Sequence, residues 1–124
     1  MLIVTAQDAI DLFEPCFVGT VGEAIAVAHL DGERRLIELV VIDPAAPHEA
    51  ELPLRRILED ALRVGAAGLL LAHNHPSGDA QPSWDDVEAT RELAATAASL
   101  GIRLHDHLIF AGGETCSLRR LGLL

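Results

Sequence analysis

Apolar residues recur at Leu54, Ile57, Leu58, Ala61 and Leu62, with spacings of three and four that place them on one helical face. The pattern predicts a helix from Pro53 to Val64, ended by Gly65. Directly after it, Ala66 to Ala72 is wholly apolar and predicts a buried strand that delivers His73. Earlier, Ala24, Ala26 and Ala28 alternate with Ile25, Val27 and His29, so Glu23 to Leu30 reads as a strand covered on both faces. Asp31-Gly32 is a hairpin turn signal. Arg35 to Ile42 is the return strand, broken by Asp43-Pro44-Ala45-Ala46-Pro47. A short amphipathic helix opens at Thr5-Ala6-Gln7-Asp8, runs through Leu12-Phe13 and stops at Pro15. An alanine-rich helix spans Ser83 to Leu100 and is stopped by Gly101. Ile102 to Phe110 is a further strand, and Ser117 to Leu124 a short final element. Helices around a mixed sheet make an α/β sandwich.

Composition narrows the setting. The 124 residues, half of them apolar, suffice for one domain spanning 1–124 with a real core. No stretch reaches the roughly 20 apolar residues of a membrane span. The start lacks the basic segment of a signal peptide, so the cytoplasm is the expected compartment. Cys16 and Cys116 could pair, but two cysteines do not make a disulfide framework and neither has C-x-x-C spacing. Nineteen acids against nine bases give a net charge of -10, and every base is arginine. Affinity for nucleic acid rests on basic groups facing phosphates. Here Arg34-Arg35, Arg55-Arg56 with Arg63, and Arg119-Arg120 are small groups amid acids. Four aromatics and no tyrosine leave little for stacking on bases. Nucleic acid is not the expected partner.

The chemistry concentrates in H-x-H-x7-S-x2-D, formed by His73, His75, Ser83 and Asp86. Two imidazoles two residues apart in extended backbone point to the same side and are placed to seize one metal ion together. Asp86, reached through a turn rich in Gly and Pro, offers a third ligand. Two nitrogens and one oxygen leave one of zinc's four tetrahedral positions open for water, the mark of a catalytic site. Ser83 brings a hydroxyl suited to binding an oxyanion. Ser83-Trp84-Asp85-Asp86 also reads as a helix start with Ser83 as N-cap. That reading is compatible with the first, because a capped helix presents Asp86 rigidly.

With these residues in view, the chain resembles the JAMM motif of the JAB1/MPN metalloenzymes. The longer string His73-Asn74-His75-Pro76-Ser77-Gly78-Asp79, Pro82-Ser83 and Asp86 is closer still to the RadC-like bacterial branch. The similarity runs from about Glu23 to Ser117 and includes Asp106-His107 followed by Ile109. It implies an MPN fold of cytidine-deaminase-like architecture, with one Zn2+ per chain held by His73, His75 and Asp86. It also implies a general base upstream, which by position is Glu23. Members with known activity cleave peptide or isopeptide bonds, often beside ubiquitin-like modifiers, so a peptide or protein substrate is implied. Two departures stand out: only about twenty residues precede Glu23, where RadC-like chains carry a helical region, and Arg55-Arg56 replaces an expected Arg-Glu.

Glu14, Glu33 and Glu38 are rival bases, although Glu33 falls in the hairpin turn and Glu38 in mid-strand. His105-Asp106-His107 repeats the i, i+2 spacing. Either it supports the main site, with Asp106 as acceptor for a ligand imidazole, or it binds a second ion. His29 and His48 read as core or surface filler. H-E-x-x-H and the H-x-E with P-C-x-x-C of zinc deaminases are absent, and the histidines of HNH nucleases are dispersed, not adjacent. The expected function is a zinc-dependent peptide or isopeptide hydrolase. The alternatives are a RadC-like protein acting on DNA and a non-catalytic MPN scaffold for protein contacts.

Overall fold

A computed structural model of the chain describes residues 1–42 and 52–124. The predicted break after Ile42 and His48 lie outside them. Helix α1, Ala6–Phe13, starts at a capping box in which Thr5 accepts from the Asp8 amide and Asp8 accepts in return. Strands β1, Ile25–Leu30, and β2, Leu36–Ile42, pair antiparallel. In the turn between them, the Asp31 carboxylate accepts the amides of Glu33 and Arg35. Helix α2, Leu54–Val64, ends at Gly65, whose φ of 69° makes the left-handed cap that favours glycine. Strand β3, Gly68–Asn74, is buried along its whole length. Helix α3, Trp84–Ser99, leads to strand β4, Arg103–Ala111, and then strand β5, Glu114–Ser117.

The sheet order is β2-β1-β3-β4-β5, with β3 and β4 parallel and every other pair antiparallel. One face packs Val27, Leu69 and Leu71 against Ile57 and Ala61 of α2 and Leu93 and Ala97 of α3. The other packs Ala26, Ala28, Leu70 and Ala72 against Ile3, Ala9 and Phe13 at the α1 end. This is the mixed sheet between helices that the pattern predicts. It also explains the continuous apolar run of β3, since a central strand with a parallel partner is covered on both faces. His29 fills core, fully buried with neither ring nitrogen hydrogen-bonded.

Three details differ from the sequence reading. β1 begins at Ile25, so Glu23 lies in the loop before the strand. Pro15 sits inside a 3-10 turn, Glu14–Phe17, that continues α1. The segment before Leu118 forms β5, returning along β4 over Gly112 and Gly113, both with positive φ. Its four residues, Glu-Thr-Cys-Ser, carry no apolar alternation to announce a strand. Cys16 and Cys116 are both free thiols. No helix among the described residues is long and apolar enough to cross a membrane.

Candidate metal centre

His73 lies near the carboxyl end of β3 and His75 one residue beyond it, so extended backbone turns both rings to the α3 side. Their Nε2 atoms are 2.8 Å apart. Asp86 arrives from the first turn of α3, its Oδ2 3.3 Å from His75 Nε2 and 3.7 Å from His73 Nε2. Glu23 approaches from the loop before β1, with Oε1 3.9 Å from His75 Nε2. Ligand atoms of Glu23, His73 and His75 all fall within 4.8 Å of one another. The structure thus brings together four of the residues singled out in the sequence.

Local chemistry explains each position. Ser83 caps α3 by accepting the Asp86 amide at 3.0 Å, and Asp86 Oδ2 accepts the Ser83 amide at 3.0 Å. Such a box contributes about 1 kcal/mol and holds the Asp86 carboxylate toward the histidines. Burial alone would raise the pKa of this carboxyl. The nearby His73 ring and the Ser83 amide that donates to the carboxylate outweigh this and hold Asp86 well below the usual carboxylate range. Because the Ser83 oxygen accepts within the box, its hydroxyl proton remains available to a ligand.

Asn74, between the two histidines, projects to the opposite face and fastens the Glu23 loop. It accepts the Ala24 amide at 2.7 Å and donates to the Gly22 carbonyl at 3.0 Å and Thr20 Oγ1 at 3.1 Å. The sequence reading missed this role, although an amide side chain alternating with two histidines was its visible signal. His75 Nδ1 meets the Asp79 carbonyl at 2.8 Å. A carbonyl only accepts, so the proton sits on Nδ1 and the His75 Nε2 lone pair faces the centre. Behind His73, Nδ1 lies 2.6 Å from Nε2 of the buried His107, whose Nδ1 lies 2.8 Å from Thr90 Oγ1. Burial, with nearby His73, pushes the His107 pKa down to about 3, so its ring is neutral. Two imidazole nitrogens and a carboxylate oxygen, with the far ring nitrogens hydrogen-bonded, form a donor set that fits zinc.

Asp106 does not take part. A bulge in β4 shifts its register on β3 between Leu69 and Leu70. The extra residue puts His105 beside Asp106 on the α1 face, where they line a cavity of about 180 Å³ with Arg34, Arg103 and Arg119. The Asp106 carboxylate is engaged there by the Ser117 hydroxyl and the amides of His107 and Arg119. The acceptor behind His73 is His107. The same bulge puts the rings of His105 and His107 on opposite faces, so the pair does not form a second ion site. Burial and the three arginines push the His105 pKa down to about 4. Among the rival bases, Glu33 pairs with Arg35 at 3.1 Å and Glu38 with Arg63 at 2.9 Å. Glu14 lines a cavity of about 330 Å³ that also touches Phe17, Thr20, His75 and Phe110.

A five-stranded mixed sheet between helices, with histidines leaving its central strand beside an Asp at a helix start, is the arrangement of a JAB/MPN domain. The chain belongs to the RadC-like JAB domain family, whose model matches residues 3–123. It is 43% identical over 102 residues to a UPF0758 protein of Nostoc sp., covering 82% of this chain and 42% of that one. A UPF0758 protein of Bordetella petrii is 39% identical over 112 residues, covering 90% and 50%. One from Salinibacter ruber is 32% identical over 124 residues, covering 100% and 53%. The chain spans about half the length of these curated relatives.

Proposed function

We propose that this domain is a zinc-dependent hydrolase of peptide or isopeptide bonds, with His73, His75 and Asp86 as the metal ligands. The observation that carries the reading is the convergence of these three donors beside Glu23, the only other carboxylate within 4 Å of a ligand nitrogen among the described residues. Zinc held there supplies Lewis acidity and a nucleophile at neutral pH. Glu23, on its tethered loop, accepts a proton from the attacking water and returns it to the leaving nitrogen. The Ser83 hydroxyl donates to the oxygen on which charge develops. The cavity beside His75 gives room for residues flanking the scissile bond, and a ubiquitin-like conjugate is one substrate of this kind.

The test has two stages. Elemental analysis should find about one zinc per chain, the number one tetrahedral site holds. Panels of peptides and isopeptide conjugates should then be cleaved, with activity abolished by a chelator and restored by zinc. A fully zinc-loaded protein that cleaves nothing across these panels would favour the scaffold reading.

A role on DNA finds one supporting observation in Arg34, Arg103 and Arg119, which line one cavity. That cavity lies on the α1 face, opposite His73 and His75, and three guanidiniums stand against a net charge of -10. Few phosphate contacts make weak, salt-sensitive binding. Affinity for duplex and single-stranded DNA near physiological salt is therefore expected to be weaker than about 1 μM, toward the nonspecific range. Submicromolar binding to either would reverse this ordering.

A further inference from the structure

Two irregularities of the backbone aim side chains into one cavity on the α1 face. The first is Arg34, in the turn between β1 and β2. Its φ is 63°, and among the described residues every other positive φ belongs to a glycine. An arginine is strained there, and such strain persists where the side chain is needed. The second is the β4 bulge, which brings His105 to the same cavity. Gly68 makes room for the ring, since a Cβ at that position would stand 2.5 Å from His105 Nε2. Arg34 Nη2 donates to His105 Nδ1 at 3.3 Å, and its Nη1 donates to the Val4 carbonyl at 3.3 Å. Arg119 donates to the carbonyls of His105 and Leu104. Arg103, at the start of β4, lines the cavity with no side-chain hydrogen bond among the described residues.

This gathering of positive charge is unlike the rest of the chain. Arg35, Arg55, Arg56 and Arg63 each have a carboxylate within 4 Å, whereas Arg34, Arg103 and Arg119 have none among the described residues. One carboxylate, Asp106, is in the cavity wall, but the Ser117 hydroxyl and the amides of His107 and Arg119 already occupy it. The lining therefore carries an excess of two positive charges. Burial and the three arginines keep the His105 ring neutral, so it adds none. Ile3, Ala9, Leu70 and Leu108 form a buried apolar part of the lining, while the arginines are more exposed. An apolar interior with a few convergent polar groups is the make-up of a small-molecule site.

We propose that this cavity binds the dianionic phosphate group of a small molecule through Arg34, Arg103 and Arg119. A phosphate monoester carries close to two negative charges at neutral pH, which matches the excess in the lining. A carboxylate, or the phosphodiester of a nucleic-acid strand, carries one. Guanidinium forks suit phosphate oxygens. Arg34 and Arg119 are already fastened to main-chain carbonyls, so they lose little freedom on binding. The apolar lining favours an organic ester over the free ion. The site lies across the sheet from His73 and His75, so its failure would leave the metal reading untouched.

The test is a titration of the full chain with phenyl phosphate, inorganic phosphate and benzoate at fixed ionic strength, followed in nitrogen-15 spectra of amides and arginine side chains. Phenyl phosphate is expected to saturate with a Kd below about 1 mM. It should move the signals of Arg34, Arg103 and His105 and leave those of His75 and Ser83 in place. Benzoate should bind about 10-fold more weakly, having one charge fewer for the guanidiniums. Inorganic phosphate should move the same signals; weaker binding than phenyl phosphate supports an organic ester, and equal binding supports the free ion. Arg34→Gly suits the left-handed backbone and should melt near the wild-type temperature, yet bind phenyl phosphate about 10-fold or more weakly. Arg103→Gln, at an exposed side chain, should do the same. Arg55→Gln changes the net charge equally on α2 and should bind as wild type does. No saturation at these residues below about 10 mM would overturn the proposal. So would shifts confined to His75 and Ser83, unchanged affinity in Arg34→Gly and Arg103→Gln, an equal loss in Arg55→Gln, or benzoate binding as tightly as phenyl phosphate.

Discussion

Replacing His75 by alanine is expected to strip the protein of most of its zinc while leaving it folded. The ring is one of the three proposed donors, and its Nε2 lone pair faces the centre because Nδ1 donates to the Asp79 carbonyl. Loss of an outer partner already lowers metal affinity about 10- to 100-fold; removal of a direct donor should exceed that. The fold should survive because His75 lies just past β3 and belongs to none of the core clusters. Elemental analysis after exhaustive dialysis gives the metal content, and thermal melting of the zinc-free proteins checks the fold. A His75→Ala protein that keeps its full zinc would remove His75 from the ligand set.

Glu23→Gln is expected to leave zinc and fold in place and to slow hydrolysis by a factor of about 10² to 10⁴, the range of general acid–base catalysis. The amide is isosteric but takes up no proton at neutral pH. The loop should hold because Asn74 anchors it through Ala24, Gly22 and Thr20, none of which involves the Glu23 side chain. Ser83→Ala should slow the reaction no more than this, and should also loosen the start of α3 by about 1 kcal/mol through loss of the cap. The measurement is kcat on a substrate found by the panels, at matched zinc occupancy. Equal rates for Glu23→Gln and wild type would assign the proton transfer to another residue.

The site was legible in the sequence where chain connectivity itself brings residues together. His73 and His75 share a side by simple alternation, and Asp86 follows at a fixed offset in a helix start signalled by Ser83. Glu23 was legible only by its position relative to that motif, since fifty residues separate it from His73. Asp106 was misplaced although alternation with His107 already turns it to the other face; it is His105 that the bulge turns away from His107, against the i, i+2 count. A bulge depends on how two strands register, and one strand's residues do not announce it. Thr90 and His107 meet because α3 packs over β4, 17 positions apart in the chain, a contact no periodicity encodes. The fold was easier, since burial of β3 on both faces and the one-sided α2 leave their periods in the sequence. β5, short and polar, leaves none.

β3 runs through the middle of the sheet, hydrogen-bonded to β1 on one side and β4 on the other. Among the described residues, the hydrogen bonds of the segment between His75 and Ser83 are local, such as the Asp79 amide on Ser77 and the Gln81 amide on Asp79. The centre therefore has one wall that opens only when the domain unfolds and one that can open by itself. In amide hydrogen exchange, Leu70 to Ala72 should exchange at the slowest rates in the molecule, with or without zinc. Gly78 to Gln81 should exchange quickly in stripped protein and slow markedly once the ion ties His75 to Asp86. Entry and departure of the metal would then be set by the opening of this short segment and not by motion of the strand that carries His73.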